Sequence, residues 1–89
     1  MTKELQEKCL QVAGIVLKFV VGEAAKNDAV RAVSALATEI DESGAVEPIT
    51  IDVIELDYSL KMLEFDGTNA DVCSALKAMV ETLNAEIVE

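Results

Sequence analysis

Histidine is absent from this chain, and so is tryptophan. Without histidine the commonest general base and metal ligand is gone. Nucleophile–histidine–acid triads are excluded, and a mixed cysteine–histidine zinc site cannot be assembled. Cys9 and Cys73 lie far apart and form no Cys-x-x-Cys pair, so no thioredoxin-type redox centre is encoded. Buried thiols are the expectation for both, since intracellular disulfides are rare. Gly14, Gly22, Gly44 and Gly67 stand singly, which leaves no glycine-rich phosphate loop. Phe19, Tyr58 and Phe65 are the only large rings, so the core must rest on Val, Ile, Leu and Ala. The longest apolar run, Val12 to Val21, spans ten residues with Lys18 inside it, too short to cross a bilayer. The charged opening residues lack the apolar stretch of a secretory leader, and a cytoplasmic protein is expected.

Basic residues are also scarce, and the acids are unevenly placed. Residues 1–38 carry five basic and four acidic side chains, a net of +1. Residues 39–89 carry thirteen acids against Lys61 and Lys77, a net of −11. A field of that sign repels nucleic acid and anionic membrane and favours a basic partner. The chain is short at 89 residues, yet 52% of it is apolar. A small domain buries about two thirds of its unfolded surface, so a homo-oligomer that hides more is expected.

The pattern along the chain reads as α-β-α-β-β-α, an α+β fold with a three-stranded sheet packed by helices. Residues 2–13 are helical by the spacing of Leu5, Cys9 and Val12. Ile15 to Val21, β-branched and closed by glycines, reads as a strand. Glu23 to Ile40 is a helix with Ala25, Ala29, Val33, Leu36 and Ile40 on one stripe. Residues 49–66 admit two readings. Ile49, Val53, Leu56, Leu60 and Leu63 fit a helical seam, with Ile51, Ile54, Tyr58, Met62 and Phe65 on the opposite side. A hairpin turning at Asp57-Tyr58-Ser59 pairs apolar with apolar and Glu55 with Lys61. The β-branched start, Ile49 to Ile54, favours the hairpin; the helix would give an all-α four-helix bundle. The last segment is helical, capped at Thr68 and in phase at Val72, Leu76, Met79, Val80, Leu83 and Ile87.

Val16-Leu-Lys-Phe-Val-Val-Gly22, Arg31-Ala32 with Leu36, and Ile51-Asp-Val-Ile54 are spaced so that the first two thirds of the chain resembles KaiB-type thioredoxin-like domains. The resemblance implies a non-catalytic, thioredoxin-related binding domain. The family's cis-proline segment has no counterpart, because Pro48 is the only proline and precedes the second strand.

In the hairpin register Asp52 faces Glu64, and Thr50 faces Asp66. Opposed like charges destabilise a strand pair. The cluster therefore reads as a solvated acidic face, a docking patch for a basic partner, or a hard-cation site on Asp52, Glu64 and Asp66. Asp66 to Asp71 lacks the acid pattern of a calcium loop and is better read as a helix cap. Leu56-Asp-Tyr-Ser-Leu60 differs from an acyl-carrier Asp-Ser-Leu motif by the inserted Tyr58. No catalytic, cofactor or metal residues are assigned.

The function expected is a small non-enzymatic protein-interaction module that binds a basic partner stoichiometrically. Asp52, Glu55, Asp57, Tyr58, Glu64 and Asp66 are its contact residues, and Tyr58 and Ile54 are apolar anchors. A nucleic-acid-mimicking inhibitor of a DNA- or RNA-binding protein is the alternative, and a carrier protein the remote one. Direct binding to nucleic acid or membrane is not expected.

Overall fold

One spacing recurs in four segments: an apolar residue, then another four, three and four positions on. In the computed structural model, which describes residues 3–43, 49–63 and 69–88, each of these segments is an α-helix. They are α1 (Lys3–Val20), α2 (Lys26–Ser43), α3 (Ile49–Met62) and α4 (Asn69–Val88). The seams are Leu5, Cys9, Val12 and Val16 on α1 and Ala29, Val33, Leu36 and Ile40 on α2. On α3 they are Ile49, Val53, Leu56 and Leu60, and on α4 Val72, Leu76, Met79 and Leu83. All sixteen are buried. A seam of this period faces its neighbours along the whole helix, which is how bundles pack.

Each helix packs against two others, in the cycle α1–α2–α3–α4–α1. Among the described residues the backbones of the diagonal pairs do not come close. Short connections between successive helices make such neighbours antiparallel. Among the described residues, side-chain hydrogen bonds tie three of the helix pairs together. Lys8 Nζ donates to Glu39 Oε1 at 2.6 Å, Ser34 Oγ to Asp57 Oδ1 at 3.1 Å, and Thr82 Oγ1 to Asp52 Oδ2 at 2.5 Å.

The turn after α1 is set by a glycine. Gly22 has φ +86°, a conformation that costs a side-chain-bearing residue about 1–2 kcal/mol. Its N–H donates to the Phe19 carbonyl, and the Glu23 N–H to that of Lys18. This is a Schellman closure with Gly22 at the position just beyond the helix. Ala25 immediately precedes α2, its carbonyl accepting from the Asp28 and Ala29 N–H groups.

The α+β expectation is overturned, and with it the sheet that the KaiB-type, thioredoxin-like resemblance implies. Ile15 to Val21 is not a strand: α1 runs through Gly14 to Val20. A mid-helix glycine costs about 1 kcal/mol relative to alanine. Burying Val16, with Ile15, Phe19 and Val20 packed partly against the core, more than offsets that. The second strand and the hairpin are not formed either, because residues 49–62 are the single helix α3. Strand preference spans only about 1 kcal/mol per residue and bends to context. Each of Ile49, Val53, Leu56 and Leu60 gains about 1.5–3 kcal/mol from full burial. The Asp52–Glu64 opposition of the hairpin register falls with it; Glu64 and Asp66, like the Thr68 cap, lie outside the described residues. Of the stripe expected on α2, Ala25 is exposed and the other four are buried. No described helix is long and apolar enough to cross a membrane.

Candidate functional site

α3 is apolar on two sides, and the bundle uses only one. With the inner seam spent on the core, Ile51, Ile54 and Tyr58 project outward; Ile54 is 58% and Tyr58 64% exposed. Tyr58 lies seven residues after Ile51 and four after Ile54, so the three share a face. Met62, half-buried, continues it by another turn.

Two grooves border this face. One, of about 760 Å³, runs between α3 and α4 and is lined by Ile54, Glu55, Tyr58 and Met62 on one wall and Asp71 and Ala75 on the other. The second, of about 290 Å³, lies between α2 and α3 and is lined by Ala37, Thr38, Asp41, Thr50 and Ile54. Ile54 is the ridge between them. The lining of the larger groove is mainly apolar and includes two carboxylates, Glu55 and Asp71.

The expected contact residues divide into two groups. Asp52 is half-buried and occupied by the Thr82 hydroxyl. Asp57 is half-buried too; it accepts from Ser34 and, at 2.9 Å, from Lys61 one turn on. Both carboxylates sit at seams between helices, where they join α3 to α4 and α3 to α2. Glu55 and Tyr58 stand on the outer face. No hydrogen bond or ion pair among the described residues engages them. Glu64 and Asp66 lie outside the described residues. The favoured hairpin put Ile51 and Ile54 on opposite faces; the helical alternative, which grouped Ile51, Ile54, Tyr58 and Met62 opposite the seam, is the arrangement found.

Among the described residues no group of three or more Asp, Glu, Cys or His is placed to hold a metal ion. Cys9 is buried as expected. Cys73, expected to be a packing residue, is exposed on α4, and no disulfide joins the two. The pKa of Lys8 is raised, first by its hydrogen bond to Glu39 and then by that carboxylate's charge. It lies on the α1–α2 seam, away from the α3 face.

No protein-family model, curated protein or solved structure matches this chain.

Proposed function

We propose that this chain is a non-enzymatic interaction module that binds a basic protein partner stoichiometrically through the outer face of α3. The observation that carries the reading is the exposure of Ile54 and Tyr58 on a helix whose other face already fills its share of the core. Exposed apolar residues that recur along one face, rimmed by polar groups, mark interaction surfaces. Tyr58 and Ile54 supply the desolvated anchors. Glu55 and Asp71, which line the larger groove, select for positive charge and speed encounter. Asp52 and Asp57 act within the fold, as links between helices, rather than as contacts.

The test uses the full chain as immobilised bait in extract from its native host. Ile54→Ser and Tyr58→Ser are run in parallel, with circular dichroism to verify that both fold. A protein retained by the wild type and lost with either variant is the expected result, at a cost of about 2 kcal/mol or more per anchor. Equal retention on all three baits sinks the proposal. Binding anchored by apolar side chains weakens little with added salt. A steep fall with salt, indifferent to Tyr58, would instead identify a nucleic-acid mimic.

A further inference from the structure

α1 carries an outer face of its own, on the opposite side of the bundle from α3. Leu10 and Leu17 project from it, Leu17 at 54% exposure, and Val21, 61% exposed, follows just past the helix end. Between the leucines, four residues after the first and three before the second, lies Gly14. A Cβ added there meets nothing within 4 Å, and its backbone φ is not positive. Neither crowding nor backbone geometry inside this molecule calls for glycine at that position, and glycine weakens a helix interior. A glycine in an exposed helix face, flanked by leucines, admits the close approach of another backbone or a protruding side chain.

We infer that the occupant is α1 of a second copy of this chain, packed antiparallel about Gly14 in a two-fold dimer. Charge decides the partner and the direction. Glu7 and Lys18 are exposed on this same face, one on either side of the glycine. An antiparallel pair crossing at Gly14 sets Leu10 against residues 17 and 18 of the second copy. It also brings Glu7 within about one helical turn of the second copy's Lys18. A parallel pair would set Glu7 beside Glu7 and Lys18 beside Lys18. The two-fold arrangement is self-complementary, as an isologous contact must be. Net charge points to the same surface. Residues 1–38 carry +1 and residues 39–89 carry −11, so two copies meet with least repulsion through α1. Pairing through α3 would bring Glu55 and Asp71 of both copies together. This contact does not rest on the reading of α3 and stands or falls separately.

Sedimentation equilibrium of the full chain at about 10–100 micromolar tests it. The expected mass is twice the 9.5 kDa of one chain. Leu17→Glu should weaken the dimer at least tenfold. Glu7→Lys and Lys18→Glu should each weaken it several-fold, and the double variant should recover wild-type association. All three positions are solvent-exposed, so folding is retained, and circular dichroism verifies it. The α1 variants should still retain whatever protein the Tyr58→Ser bait loses. A monomer throughout this range overturns the proposal. So does a dimer indifferent to Leu17→Glu, one not restored by the charge exchange, or one broken by Tyr58→Ser instead.

Discussion

The hydroxyl of Thr82 on α4 donates to the carboxylate of Asp52 on α3 at 2.5 Å. A short O–H···O⁻ contact of this kind is charge-assisted. Thr82→Val keeps the shape and removes the donor, leaving a half-buried carboxylate without it. A loss of about 1–2 kcal/mol is expected in urea unfolding. Asp52→Ala should cost a similar amount, and the double variant distinctly less than the two together. Additive losses would show that the pair does not act as a unit.

Gly14 inside α1 and Gly22 just beyond its end should respond to alanine with opposite signs. Gly14→Ala adds helix preference in open space and should stabilise by about 1 kcal/mol in dilute solution, where association does not contribute. Gly22→Ala forces a side chain into positive φ and should destabilise by about 1 kcal/mol or more. Thermal melts of both variants check the signs. Equal shifts would mean that Gly22 does not hold the closing turn.

Lys8 makes a small, pH-dependent contribution to stability, because its ion pair with Glu39 is partly exposed. Its hydrogen bond to Glu39 and that carboxylate's charge raise its pKa above the ordinary lysine value of 10.5, against the opposing effect of lost hydration. A group whose folded pKa is raised stabilises fully below its unfolded value, and that contribution is lost as pH rises through the folded one. Lys8→Met should therefore be less stable than wild type at neutral pH. The gap should narrow as pH climbs past about 10.5. Denaturant midpoints across pH 8 to 12 measure it; a constant gap would assign the loss to packing of the lysine stem.

The cysteines should react at different times. Cys73 is exposed, and a maleimide should label it in the native protein. Cys9 is buried in the core and should label only after unfolding. Labelling of both at once under native conditions would contradict the packing of α1.

Part of this fold is legible in the sequence. The helices at either side of the centre, α2 and α4, follow from their seams: Ala29 to Ile40 and Val72 to Leu83 keep one period without interruption. The central difficulty is Ile49 to Ile54. Four of its six residues are β-branched aliphatics, and local preference alone makes it a strand. What makes it helical is non-local, namely three other segments with the same seam that need a fourth to close the bundle. Gly14 misleads in the same way. It reads as a boundary only while the phase from Cys9 through Val12 to Val16 is left unfollowed. The candidate site was half legible. Tyr58 and Glu55 do stand on the surface, whereas Asp52 and Asp57 are taken up by Thr82, Ser34 and Lys61, partners remote in sequence or a turn away.

α1 and α3 sit diagonally across the bundle, and among the described residues their backbones do not approach each other. A pair of molecules joined back to back along α1 would hold its two α3 faces outward, on opposite ends of one rigid body. It would be bivalent. A partner that carries two copies of the recognised segment would gain avidity from the second engagement only if its segments could span the pair. A monovalent partner would instead be brought alongside a second molecule of itself, and the module would serve as a bridge.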